Sequence, residues 1–369
     1  MRAVEADDPR AACARARRVV VKIGSSTLAA DAGVFARLAD AIAARRGAAF
    51  VVVSSGAIAL GMKKLGYRAR PKEMARLQAA AAAGQSLLMR AYEEAFEARN
   101  LAVAQVLLTH ADLADRTRAN NARAALGALL EAGAVPILNE NDSVAVEEIR
   151  FGDNDQLAAM VAPLVEADLV ILLSDVAGLL DRSGRRIAVV QDVATEAIPH
   201  VRASKGGVGS GGMASKLEAA RRATLAGANV VVADARAPGV IEAVLSGQDV
   251  GTLFVGAHER LSAKKSWIAF TLRPRGDVVL DKGAAEAVRA KGKSVLSVGV
   301  LGVRGDFRAG DAVRLVDTEG RELARGLARC TATEAAAVAG KARAELPAPL
   351  ADLSVIVHAD ELVVGSHAT

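Results

Sequence analysis

Aromatic residues are scarce in this chain of 369 residues: they make up 3%, although 52% of positions are hydrophobic. Ala, Val and Leu supply most of that share, so the core must be aliphatic, which suits buried parallel strands between helices. Cysteine is almost absent. Cys13 and Cys330 stand far apart, which excludes a disulfide framework, and no Cys/His spacing suits zinc. No apolar run reaches the roughly 18 residues of a membrane span. Residues 1–17 are rich in Arg and Ala but lack the apolar segment of a secretory signal. They read as a flexible extension, and the protein as cytoplasmic. A large charge excess is missing too: 47 basic against 42 acidic residues leave +5, too dispersed to announce nucleic-acid binding yet compatible with an anionic ligand.

What is present is polar punctuation at the ends of apolar runs. Ile137 to Gln156 (ILNENDSVAVEEIRFGDNDQ) carries two clusters, Asn139-Glu140-Asn141-Asp142 and Gly152-Asp153-Asn154-Asp155. Each cluster alone reads as a turn, since Asn, Asp and Gly are the usual turn residues. The first follows a strand signal, Ala134 to Leu138. The intervening Ser143 to Phe151 reads as a mobile hairpin.

Other runs end in the same way. The β-branched run Arg18 to Ile23 (RVVVKI) leads into a turn at Gly24-Ser25-Ser26. Lys22 interrupts it, at a cost unless its ammonium meets an anion. A second strand, Ala48 to Val53, ends in Ser54-Ser55-Gly56-Ala57, where small residues let backbone N–H groups approach a ligand or simply make a tight connection. Periodicity predicts helices over Val34 to Arg46, over Glu73 to Arg99 with close packing at Ala79 to Ala83, and over Arg118 to Glu131. A third strand spans Leu101 to Thr109. After Asp155 a helix runs to about Glu166, and the strand Asp168 to Leu173 ends in Ser174-Asp175. Lys205 to Lys216 (KGGVGSGGMASK) is a glycine loop entering a helix, and backbone amides with a lysine at a helix N-terminus suit phosphate. The strand Asn229 to Ala233 and the helix Gly239 to Leu245 follow.

Alternation of strand and helix over some 250 residues predicts an α/β fold, a mostly parallel sheet sandwiched by helices. Ligands in such sheets bind beyond the carboxyl ends of the strands, where these polar clusters fall. Residues 257–266 read as a linker. From Trp267 the runs shorten (Asp277 to Leu280, Ser294 to Val300, Ala312 to Val316, Leu353 to Val357), which predicts a small β-rich domain over 267–369. Ala287 to Ser294 (AVRAKGKS) fits a relaxed P-loop pattern, but a helix precedes it and a strand follows, the reverse of a nucleotide loop.

Taken together, VKIGSS, SSGAIALG, LNENDSV, FGDND, LLSDVAGL and SGGMASK resemble the glutamate-phosphorylating branch of the amino acid kinase family. The tail resembles a PUA domain. The resemblance covers nearly the whole chain from Val19, in the family's motif order, and implies a kinase domain over 18–256. The implied reaction is phosphorylation of the γ-carboxylate of L-glutamate by ATP with Mg²⁺, the committed step toward proline. It assigns Lys22 and Lys216 to the transferring phosphoryl group and Asp155 to holding both lysines. It assigns Gly24, Ser174, Asp175, Ser210, Gly211, Gly212, Met213, Ala214, Ser215 and Lys216 to the nucleotide. Ser55, Gly56, Ala57, Asp142, Asp153 and Asn154 fall to the amino acid, and no side chain is singled out as a metal ligand. Ser174 and Ser210 stand where threonine is common, and Ala214-Ser215 where Ser-Thr is common.

That chemistry needs no general base, because a γ-carboxylate with a pKa of about 4.3 is already ionised at neutral pH. The five histidines are therefore not required; His110 reads as a neighbour of a helix cap. The resemblance further implies feedback inhibition by proline and assembly as a homodimer or homotetramer. PUA-like domains commonly contact RNA, yet Ala269 to Thr369 holds 14 basic and 13 acidic residues, so RNA is a subordinate partner at most.

Overall fold

The computed structural model describes residues 8–31, 33–144, 154–200, 212–257, 261–346 and 348–365. The chain divides into two compact units, Met1–Arg260 and Leu261–Thr369. Residues 258–260 of the expected linker lie outside the described residues, and Ala263–Ser266 forms a short helix (α11 below).

In the first unit the chain runs α1 (Ala11–Arg15), β1 (Arg18–Ile23), α2 (Ser25–Ala30), α3 (Val34–Ala44), β2 (Ala49–Ser54), α4 (Ala57–Lys64) and α5 (Met74–Glu97). It continues through β3 (Val103–Leu108), α6 (His110–Ala114), α7 (Arg116–Glu131), β4 (Val135–Glu140), α8 (Asn154–Val161), β5 (Leu169–Ser174) and β6 (Val189–Val190). Then come α9 (Met213–Leu225), β7 (Asn229–Asp234), α10 (Val240–Leu245) and β8 (Thr252–Phe254). Among the described residues eight strands form one sheet in the order β3-β4-β2-β1-β5-β7-β8-β6. Every pairing is parallel except that of β7 with β8.

Alternation along the strands sends side chains into two separate cores. Val19, Val21 and Ile23 of β1 pack with Leu38 of α3, Tyr92 and Phe96 of α5 and Ile241 of α10. Val20 packs on the other face with Leu126 of α7, Leu157 and Met160 of α8, and Leu217 of α9. Lys22 lies two residues beyond Val20, so strand geometry sends it toward the α8 and α9 side. The lysine that interrupts the apolar run is thereby aimed at two helix N-termini.

Small residues set the position of α4. A Cβ on Gly61 would fall 1.7 Å from the Ala80 carbonyl oxygen, and one on Gly84 would fall 1.8 Å from that of Ala57. The backbones of α4 and α5 therefore touch, as the alanine run suggests. Gly56, at φ +104°, makes the sharp turn from β2 into α4, a conformation open to glycine without steric cost.

Several expectations need correction. Residues 8–17 are packed rather than frayed: Cys13 is buried, and the Arg10 guanidinium donates to the carbonyls of Ala188 (2.8 Å), Val250 (2.9 Å), Gln248 (3.1 Å) and Gly251 (3.2 Å). A chain segment gains order when its polar groups find fixed partners, and a hydropathy reading cannot see those partners. The strand expected to end at Leu138 extends through Asn139 and Glu140, because it pairs with β3 that far. The helix after Asp155 ends at Val161, not near Glu166, which itself has φ +50°. Ser143 and Val144 lie in a turn; the rest of the expected hairpin and the glycine loop through Gly211 lie outside the described residues.

The second unit contains α11 (Ala263–Ser266), β9 (Gly276–Leu280), α12 (Lys282–Lys291), β10 (Val295–Leu296), β11 (Val300–Gly305) and β12 (Ala312–Val316). It ends with β13 (Glu322–Leu327), α13 (Ala332–Val338), β14 (Val355–Val357) and β15 (Leu362–Val364). Its larger sheet runs β11-β9-β12-β13-β15, and β10 pairs with β14. The run Ser294 to Val300 is two strands broken by a helical turn at Ser297–Gly299, and β13 and β15 escape the sequence reading. In the P-loop-like segment, α12 ends at Gly292 with φ +54° and β10 follows, so a helix leads into a strand there. Cys13 and Cys330 are free and buried, and burial pushes both thiols up to about 11.

Candidate active site

The carboxyl ends of β1, β2, β4 and β5 deliver Gly24, Ser55, Asn141-Asp142 and Asp175 to one edge of the sheet. At that edge α8 and α9 begin, with Asp155 and Lys216 in their first turns. The Lys22 ammonium lies 2.5 Å from Asp155 Oδ1, and the Lys216 ammonium lies 3.2 Å from Oδ2. Asp155 has no exposed surface, and the two lysines are 7% and 5% exposed. One carboxylate thus serves two ammonium groups, and the cluster keeps a net positive charge away from bulk water. Electrostatic attraction for a further anion is strong in such a place. Gln156, the next residue of α8, donates through Nε2 to the Ser215 carbonyl at 3.0 Å, which ties the two helix starts together.

Phosphate-sized features adjoin the lysines. A Cβ on Gly24 would lie 3.8 Å from Lys22 Nζ, so the backbone there passes close to the ammonium. At α9, Gly212 is the N-cap, no side chain caps it, and no acidic residue stands in the first turn formed by Met213, Ala214, Ser215 and Lys216. Uncapped amides at the positive end of a helix favour anions. Ser174 Oγ donates to Asp175 at 3.1 Å, and Arg236, paired with Asp234 at 2.8 Å, donates to the Asp175 carbonyl at 2.7 Å.

Beside the charged cluster lies an amide network. Asn154 Nδ2 is within 2.8 Å of the Ser54 carbonyl, 2.8 Å of Ser55 Oγ and 3.0 Å of Asn139 Oδ1. Asn139 Nδ2 donates to Gln85 Oε1 at 3.0 Å. Behind it the buried Tyr92 hydroxyl donates to Ser54 Oγ at 2.8 Å, and burial raises its pKa above the ordinary phenol value, so it stays a donor. Asp142 is half-buried in the turn after β4, and Ala57 is buried at the start of α4 beside Gly56. Asp153, Ser210 and Gly211 lie outside the described residues.

The structure therefore brings together Lys22, Asp155 and Lys216, and separately Ser55, Asn154 and the end of β4. Sequence reasoning passed over Asn139, Gln85, Tyr92, Gln156 and Arg236. Asn139 sits inside a cluster that the sequence displays, but Asp142 drew the attention. Gln85 gives no local signal beyond standing after Gly84.

A parallel α/β sheet with two buried lysines sharing one aspartate at its carboxyl edge defines a class. The chain belongs to the amino acid kinase family: the model of that family matches residues 17–234, and a PUA domain model matches residues 276–350. Its relatives narrow the class. Glutamate 5-kinase of Myxococcus xanthus is 47% identical and that of Moorella thermoacetica 45%, each over 96% of this chain and 98% of its own length. Glutamate 5-kinase of Thermus thermophilus is 46% identical with the same coverage.

Proposed function

We propose that this enzyme transfers the γ-phosphoryl group of ATP to the γ-carboxylate of L-glutamate, forming L-glutamyl 5-phosphate and ADP in the first step of proline biosynthesis. A carboxylate oxygen attacks the γ-phosphorus while the bond to the β-phosphate oxygen breaks. No proton has to be removed, so the obstacle is repulsion between an anion and a polyanion. The observation that carries the reading is the buried Lys22–Asp155–Lys216 cluster, whose net positive charge sits beside the amide network of Asn154, Asn139 and Gln85. Positioning and charge neutralisation are what phosphoryl transfer asks of a protein.

In this reading Lys22 and Lys216 meet the transferring group, and Asp155 fixes both in place. Gly24, Ser174, Asp175, Ser210, Gly211, Gly212 and the first turn of α9 hold the nucleotide. Ser55, Gly56, Ala57, Asp142, Asp153 and Asn154 hold the amino acid, with the aspartates reading its α-ammonium. Among the described residues no three His, Cys, Asp or Glu side chains cluster as a metal cage. Mg²⁺ held mainly by phosphate oxygens and water needs no such cage and would neutralise phosphate charge. No helix among the described residues is long and apolar enough to cross a membrane. A cytoplasmic setting is part of the proposal, and it suits two unpaired thiols.

The test is ATP turnover with L-glutamate in the presence of hydroxylamine, which traps an acyl phosphate as a hydroxamate. Hydroxamate formation that depends on glutamate is the expected result; its absence overturns the assignment. In the same assay, Asp142→Ala and Asn154→Ala should each raise the KM for glutamate far more than the KM for ATP. Parallel rises in both would remove these residues from the amino-acid pocket.

A further inference from the structure

The amide network has one loose end. The backbone N–H of Glu140 donates to Asn139 Oδ1 at 2.9 Å, and a backbone donor cannot be confused with an acceptor. Asn139 therefore turns Oδ1 toward Glu140 and Asn154, and its Nδ2 toward Gln85. Gln85 must answer that donor with Oε1. Its own Nε2, with two N–H groups, then faces the other way; it is buried and has no acceptor among the described residues. A buried donor without a partner is costly, and native proteins rarely keep one unless a ligand or ordered water completes it.

The position of this donor identifies what completes it. Gly84, the residue before Gln85, presses against the Ala57 carbonyl, which places Gln85 beside the Ser55–Ala57 turn. Along the network, Asp155 adjoins Asn154, Asn154 meets Asn139, and Asn139 meets Gln85. Gln85 is thus the far end of a chain whose near end is the lysine-bound aspartate. A glutamate whose γ-carboxylate lies at the lysines would present its α-carboxylate toward the far end.

We infer that Gln85 is a specificity residue of the amino-acid pocket, its Nε2 donating to the substrate's α-carboxylate while its Oε1 is held by Asn139. The inference rests on the glutamate kinase reading above, and 4-aminobutyrate, which is glutamate without its α-carboxylate, tests it directly. Wild type should favour glutamate over 4-aminobutyrate strongly in kcat/KM. Gln85→Glu keeps an acceptor for Asn139 but sets an anion against the α-carboxylate. It should raise the KM for glutamate by at least about 10-fold, in keeping with a hydrogen bond to a charged group. The KM for ATP should stay within about 2-fold, and the preference for glutamate over 4-aminobutyrate should fall by a similar factor to the rise in glutamate KM. Gln85→Met, which removes the Nε2 donor and the Oε1 acceptor together without adding charge, should shift the preference in the same direction and carries the test if Gln85→Glu does not fold. A folded variant with unchanged glutamate KM and unchanged preference overturns the proposal, as does a parallel rise in both KM values. Failure of wild type to phosphorylate glutamate would instead overturn the underlying functional reading, so the two failures are distinguishable.

Discussion

Lys216→Ala should lower kcat by about 10²- to 10³-fold, the loss typical of removing one preorganised electrostatic contact from a water-poor site. The fold should survive. Without Lys216, Asp155 still has the Lys22 ammonium at 2.5 Å, and the buried cluster becomes neutral rather than uncompensated. Neutrality is what destroys the function, since the excess positive charge available to the phosphoryl oxygens is gone. Steady-state kinetics alongside a thermal melt decide the matter. Near-normal turnover in a folded variant would refute the role of Lys216.

Asp155→Ala should behave differently, because it removes the carboxylate that meets both ammonium groups. Two like charges, each less than one-tenth exposed, are then left facing one another. Breaking a buried ion pair from one side costs about 3–5 kcal/mol, which for a domain of this size lowers Tm by roughly 6–20 °C. Activity should fall as well, since neither lysine keeps its place. The double variant Asp155→Ala/Lys216→Met should recover part of the lost Tm by deleting one stranded charge. An Asp155→Ala protein that melts with wild type would show that the cluster is not held by its electrostatics.

Both expectations turn on a contrast that the sequence only half displays. Val-rich β1 and the alternation of strand with helix announce a parallel sheet, and parallel sheets bind ligands at their carboxyl edge, so Gly24, Ser55, Asp142 and Asp175 were legible as a group. Lys22 was conspicuous because a charge inside a buried run demands an explanation. Asn139 and Gln85 were not conspicuous, since amides are ordinary on strands and helices. The ends of elements also misled: β4 continues two residues past its apolar run because β3 supplies partners for its backbone, a tertiary fact. In the same way Arg10 looks like one more charge in a disordered tail until the carbonyls of residues 188 and 248–251 surround its guanidinium.

By itself, the sequence determined the fold class, the division into a large α/β part and a small β-rich part, and the residue types available to an anionic substrate. Those follow from local periodicity and composition, which need no knowledge of distant neighbours. Tertiary structure alone decided that Lys22 and Lys216, 194 positions apart by their numbers, meet on opposite oxygens of a single buried carboxylate. It also decided that the Gln85 Nε2 is buried without an acceptor among the described residues. Contacts of that kind arise only when separate strands and helices close on one another, and their energies depend on burial that no single segment possesses before folding.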